Sequence, residues 1–232
     1  MNKKLTAILA ASILFNANFA NAEDNGAADV PTEINHKNSM YFTEPDFYSM
    51  KSKGSLTILP KYPTYQQTTE FTCGPAAALT VLKYYNIYYY DEMQIAKEMK
   101  TQGYPVGTNP SNVVDFFKSI NWNVQSSLDS TPFKDYTEFK NFVIENLKLG
   151  RPIMVDNIER GGHWRVIIGY DSMNTNSTLD DVLIFADSYD TSDHKQDGYT
   201  IGNGQRFYAM WFAHSNTPED QRVKPYVVAY PK

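Results

Sequence analysis

The chain has 232 residues, 42% of them hydrophobic and 14% aromatic, a formal net charge of −5 and a mean hydropathy of −0.48. That is enough apolar material for one substantial core, and it points to a single globular domain. Charge is mixed along the sequence, with no basic stripe and no basic–aromatic interleaving, so composition excludes a nucleic-acid partner.

The extreme N-terminus carries the one long apolar run. Lys3 and Lys4 make a positive start, and Leu5 to Phe15 form an apolar stretch too short to span a bilayer comfortably. Ala20-Asn21-Ala22 then offers small residues where a signal peptidase reads them. Residues 1–22 read as a signal peptide cleaved after Ala22, giving a secreted or periplasmic protein with no membrane attachment after cleavage. An uncleaved anchor is the competing reading, and no Cys near the cleavage site would carry a lipid. Residues 23–55 are polar with little periodicity and read as a leader, a loosely packed arm or a propeptide. The folded domain is expected over 56–232.

Leu56-Thr57-Ile58-Leu59 reads as a short strand. Cys73 to about Tyr85 predicts a helix, with Ala76, Ala77, Ala78, Leu79, Val81 and Leu82 as its apolar face and Pro75 in the first turn. Asp91 to Lys100 and Ser111 to Ile120 predict two shorter helices. Tyr136 to Lys148 predicts a longer one, ended by Gly150 and Pro152. The pattern then changes. Pro152 to Val155, His163 to Tyr170, Val182 to Ala186 and Tyr226 to Tyr230 are β-branched or apolar runs bounded by turn residues. Arg206 to Ala213 reads as a packed helix or strand whose Trp211 is a candidate wall of a cleft. Helices first and strands afterwards argue for an α+β fold, a helical N-terminal half packed on an antiparallel sheet from the C-terminal half.

The mature chain keeps one cysteine, Cys73, so no intramolecular disulfide is possible. A buried, inert thiol is one reading. The local setting favours another. Cys73 stands at the head of a predicted helix, where free N–H groups and a partial positive charge favour a thiolate. Gly74 follows, with no side chain to block a substrate backbone. A thiolate nucleophile needs a proton carrier, and His163 stands after Gly161-Gly162 at the start of a strand, held by a sheet yet open to a cleft. His36 lies in the polar arm and His194 in a charged loop. An acceptor must then orient the histidine. Asp187 ends the next strand, which is expected to pair with that of His163 as an antiparallel neighbour; Asp171 and Asp190 compete for the role. A side-chain amide upstream would complete the oxyanion donors, and Gln67 lies six residues before Cys73, with Gln66 as its neighbour.

The segment Gln67-Thr68-Thr69-Glu70-Phe71-Thr72-Cys73-Gly74-Pro75-Ala76 closely resembles the Gln-to-Cys-Gly segment of the double-glycine-leader (bacteriocin-processing) peptidases. Gly162-His163-Trp164 with Val166 to Asp171 resembles their His segment, and Phe185-Ala186-Asp187-Ser188 their Asp segment, where Ser188 replaces a common proline. The resemblance runs in order from Ile58 to Asp190. It implies a papain-like cysteine peptidase fold, Cys73, His163 and Asp187 as catalytic residues, Gln67 in the oxyanion hole, and a peptide or protein substrate. No cofactor is implied. A transglutaminase-like acyltransferase and a non-catalytic papain-like binding module are the alternatives. The carboxylates of Asp187, Asp190, Asp193 and Asp197 do not follow the Asp-x-Asp-x-Asp-Gly spacing of a calcium loop, and no zinc pattern exists. They read as a solvated acidic loop, with no metal expected.

Overall fold

The computed structural model describes residues 43, 45–130, 133–193 and 195–232. The signal segment, most of the polar arm and His194 lie outside the described residues. Strand β1 is Leu56–Ile58, followed by α1 (Cys73–Tyr84), α2 (Glu92–Glu98), α3 (Pro110–Ser119), β2 (Asn123–Ser126) and α4 (Tyr136–Lys148). The second half supplies β3 (Ile153–Asn157), β4 (His163–Asp171), β5 (Val182–Asp187), β6 (Tyr199–Asn203), α5 (Gly204–Ala209) and β7 (Tyr226–Tyr230).

The helices start where local chemistry allows. Asp91 caps α2 by accepting the Gln94 N–H, and the Gln94 side chain returns a bond to the Asp91 N–H, a reciprocal capping box. Asp135 caps α4 through the Glu138 N–H. Pro110 occupies the first turn of α3, where its missing N–H costs nothing. Helix α1 is different: every residue from Cys73 to Leu82 is buried, so its run of three alanines serves close packing on all sides. It is the central helix, and it packs against β4.

The described strands form one antiparallel sheet in the order β2-β7-β3-β4-β5-β6, with β1 extending the pairing along the far half of β4. Strand β4 is buried from His163 to Tyr170, which explains its nearly continuous apolar reading. Its register with β5 shifts between Ile167 and Gly169. Gly169 is required there, because a Cβ would lie 2.9 Å from Ile184 Cδ1. Two strands went unread in the sequence, β2 and β6. Both are short, carry few aliphatic side chains and close the two edges of the sheet, so neither gives the apolar run by which the inner strands are read.

The last residues of the polar arm lie on the body of the fold. Phe47 is buried against the ring of Tyr199, and Ser52 Oγ bonds both the N–H and the C=O of Ile58. Arg206 to Ala213 resolves into the end of α5 and a bridge at Phe212. Trp211 is fully buried among Phe133, Phe139, Phe207 and Tyr226, with its Nε1–H donated to the Asp156 carbonyl. It is therefore a core residue and not a cleft wall. Burial beside four aromatic rings gives it more packing than a cleft position would.

Candidate active site

Three chemistry-bearing side chains meet where the head of α1 faces one end of the sheet. Cys73 is the first residue of α1, His163 opens β4 and Asp187 closes β5. The antiparallel register sets Arg165 opposite Asp187, so the start of β4 and the end of β5 fall side by side. His163 Nε2 lies 2.7 Å from Asp187 Oδ1, with both side chains buried. Cys73 lines the same cleft as the imidazole, and its sulfur is one of the groups that raise the His163 pKa. The turn before β4 needs its glycines. Arg160, Gly161 and Gly162 have φ of 53°, 83° and 121°, and Gly162 adopts a conformation that a side chain strains.

Asp187 is over-determined. Its Oδ1 also accepts the Tyr189 N–H at 2.9 Å, its Oδ2 accepts the Thr200 hydroxyl at 3.3 Å, and Arg165 Nη1 stands 3.8 Å away. Burial by itself would push the carboxyl up, but His163, Arg165 and the Tyr189 N–H hold it below its ordinary 3.8. Burial likewise pushes the His163 imidazolium down, and Asp187 with Cys73 overrides it, so the pKa stands above its ordinary 6.5. The two rival acids are engaged elsewhere. Asp171 lies at the far end of β4 and accepts the Met173 N–H. Asp190 is buried, accepts the Gly198 N–H, and is pushed up to about 8 by burial and then by Asp193, Asp187 and Asp197. Among the described residues, no three His, Cys, Asp or Glu side chains gather as metal ligands do.

Gln67, 1% exposed, lines the same cleft as Cys73 and His163. Its amide orientation is fixed at both ends: Oε1 accepts the Ser188 hydroxyl at 2.8 Å, and Nε2 donates to the Thr69 carbonyl at 2.7 Å. The Gln67 N–H also donates to the Ser188 carbonyl. Ser188 therefore ties the Gln67 amide to the residue next to Asp187, and one Nε2 hydrogen remains for the cleft. Ser188→Ala is expected to lower kcat about tenfold with little change in KM, because the amide loses the bond that aims it. Ser188→Thr, which keeps the hydroxyl, should restore most of the loss. Steady-state kinetics of the two variants checks this. Gln66, the neighbouring alternative, buries its side-chain amide with no protein partner and does not line the cleft.

The loop from Tyr65 to Thr72 is held by a residue that the sequence did not single out. Glu92, 3% exposed at the start of α2, accepts the Thr68 N–H and the hydroxyls of Tyr65, Thr68 and Thr72. Turning the Thr72 hydroxyl to Glu92 leaves the first turn of α1 without a side-chain cap. A carboxylate two positions beyond the tyrosine run Tyr88-Tyr89-Tyr90 carries no signal in isolation; only its bonds to the loop before Cys73 reveal it. Glu92→Ala is expected to cost about 2–4 kcal/mol, since several charge-assisted hydrogen bonds go at once and their donors stay buried. Denaturant unfolding measures it. An unchanged midpoint would mean that the loop is held by other contacts.

The cleft is walled by Tyr104, Pro105 and Thr108 on one side and by Arg160 and Tyr189 on another. Gly74 does not face it. A Cβ there would lie 2.8 Å from Thr108 Cβ, so the missing side chain admits the 104–108 loop against α1 rather than a substrate. Thr108 in turn accepts the Trp164 Nε1–H through its carbonyl, which fixes the tryptophan beside His163. Arg160 stacks over the Tyr189 ring, and the Tyr189 hydroxyl donates to Glu70.

A family model described as the Peptidase_C39 like family matches residues 60–217, more than half of the chain. The chain belongs to that family. It is a cysteine peptidase of the Peptidase_C39 like family, and Cys73 is its sole cysteine. Among solved structures, the peptidase domain of Streptococcus ComA, a bifunctional ABC transporter involved in quorum sensing, aligns with a TM-score of 0.50 at 18% identity, covering 74% of this chain and 99% of that one. The cysteine protease xylellain from Xylella fastidiosa aligns at 0.48 and 12% identity, covering 83% and 91%. A double glycine motif protease from an AMS/PCAT transporter, in complex with the leader peptide, aligns at 0.43 and 13%, covering 73% and 91%. No curated protein matches the chain in sequence. The fold is papain-like and α+β.

Proposed function

We propose that this chain is an exported peptidase whose catalytic triad is Cys73, His163 and Asp187, with the Gln67 amide and the Cys73 N–H as oxyanion donors. The observation that carries the reading is the buried 2.7 Å pair of His163 and Asp187, whose histidine lines the cleft that holds the only thiol. His163 takes the thiol proton through Nδ1, and the Cys73 sulfur attacks the carbonyl carbon of a peptide bond. The oxyanion forms against Gln67 Nε2 and the Cys73 N–H. Collapse of the tetrahedral intermediate breaks the C–N bond, and His163 protonates the leaving amine. Water, deprotonated by His163, then attacks the thioester and releases the carboxylate and the thiol. Export rests on residues 1–22, with their lysine start, apolar run and Ala20-Asn21-Ala22.

A panel of peptides incubated with the protein tests the reaction class. Products with free carboxyl termini support hydrolysis. Incorporation of an added amine in their place would make the protein an acyltransferase. An intact panel, with no acyl-enzyme captured, would leave a binding module.

A further inference from the structure

Among the described residues that line the cleft, Asp156 is the one acidic side chain that is almost wholly buried with no lysine or arginine partner. It sits in β3 opposite Trp164, is 4% exposed, and lines the cleft together with Cys73 and His163. The other cleft carboxylate, Glu70, is more exposed and accepts the Tyr189 hydroxyl. The nearby cations are taken: Arg165 pairs with Glu159 and Asp187, and Arg160 stacks on Tyr189 and donates to Thr191. Among the described residues, no Lys or Arg pairs with Asp156. The charge that acts on it is that of His163, which pulls its pKa down against burial.

A buried carboxylate in this position costs the fold stability. Burial pushes Asp156 up to about 7, against the His163 contributions that pull it down. An acid whose folded pKa lies above its unfolded value of 3.8 destabilises increasingly as pH rises from 3.8 through 7. Such a group gains from a cation delivered beside it, because the surroundings are already dry and, among the described residues, no lysine or arginine competes with the single His163 charge. The cleft offers about 110 Å³ of open space, room for the end of one side chain.

We infer that Asp156 selects a cationic nitrogen in the substrate, held at the bottom of the cleft beside the attacking sulfur. The nitrogen is a lysine or arginine side chain or the α-ammonium of a short peptide. This deepens the proposed function and rests on it, since it takes Cys73 as the nucleophile of the cleft.

The test labels Cys73 with dipeptidyl and tripeptidyl acyloxymethyl ketones, read by intact mass. Each position carries lysine, norleucine or glutamate in turn, and each probe is made with a free and with an acetylated N-terminus. The expected result is that lysine outpaces norleucine about tenfold or more at one position, or that the free amine outpaces the acetylated probe by as much. The first result assigns a side-chain site and the second an N-terminal one. In Asp156→Asn the ratio of the two rates should fall to near one, and in Asp156→Glu it should persist. Labelling of the native protein at equal rates by lysine and norleucine at every position, with or without acetylation, overturns the inference and leaves the peptidase reading standing. A preference for glutamate overturns it as well. No labelling by any probe overturns the peptidase reading and this inference with it.

Discussion

Cys73→Ala protein is expected to fold and to lose all measurable turnover. The substitution removes one sulfur from a small side chain at the head of α1, a helix whose buried face already holds Ala76, Ala77 and Ala78. Alanine is the best helix former, so helix α1 loses nothing in propensity. The stability change should stay near about 1 kcal/mol, the centre of the range for single substitutions. Loss of activity in a protein that unfolds as the parent does would then be chemical. Cys73 is the only thiol in the chain, and among the described residues no serine lines the cleft beside His163 to replace it. Measuring peptide cleavage and thermal unfolding on the same preparation decides the matter. Full activity in the alanine variant would end the proposed mechanism.

Asp187→Asn is expected to reduce kcat/KM by about two to four orders of magnitude, within the range for loss of a correctly oriented general base. An asparagine preserves the shape of the carboxylate but removes the charge that stabilises the His163 cation. It also lets the ring settle in the wrong tautomer, with its proton toward Cys73. Two other consequences follow from the directions of the shifts. His163 has its folded pKa raised, so its stabilising contribution is complete below its ordinary 6.5 and is lost as pH rises through about 9. Asp187 has its folded pKa lowered, so its contribution is present above 3.8 and is lost as pH falls through about 2. The pair therefore stabilises most between pH 4 and 6.5. In Asp187→Asn, burial remains and the carboxylate charge that opposes it is gone, which lowers the His163 pKa. Thermal unfolding of both proteins from pH 4 to 9 should show the largest gap at the acidic end and convergence toward pH 9. A constant gap across the range would mean that the 2.7 Å contact is not an ion pair in solution.

Much of this architecture is legible in the sequence where one residue type has one physical use. The β4 run is apolar and bounded by Gly-Gly and by Asp171, so both its extent and its buried position can be read. Helix α4 can be read to the residue, from a 3.6-residue pattern ended by Gly150 and Pro152. Cys73 and His163 stand out because a lone thiol at a helix head and a histidine at a strand start are each unusual. The edge strands are different. Asn123-Val124-Gln125-Ser126 has no alternation, and only pairing with β7 makes it a strand. Thr200 lies in the other edge strand, so its contact with Asp187 is invisible until β6 is placed.

The supporting residues were hidden for a common reason: their partners are distant in sequence. Ser188 reads as a mild departure from a family pattern, and its hydroxyl turns out to aim Gln67 from 121 positions away. Glu92 reads as a helix-start acid, favourable there for the helix dipole alone. Gly74 is a case where a sound general argument chose the wrong neighbour, since Thr108 fills the space that a substrate was expected to use. Arg165 did offer a signal. A charged residue two positions after His163 on a buried strand shares its face, and such a charge needs an acid nearby.

The central claim, an activated Cys73–His163 pair, is tested most directly through the single thiol. Alkylation of Cys73 by iodoacetamide would be followed from pH 5 to 9 by intact-mass spectrometry, in the native protein and in His163→Ala. The account predicts fast labelling already at acidic pH in the native protein, and its loss in the variant. Labelling that rises only near the free-thiol value of about 8.5, equally in both proteins, would contradict it.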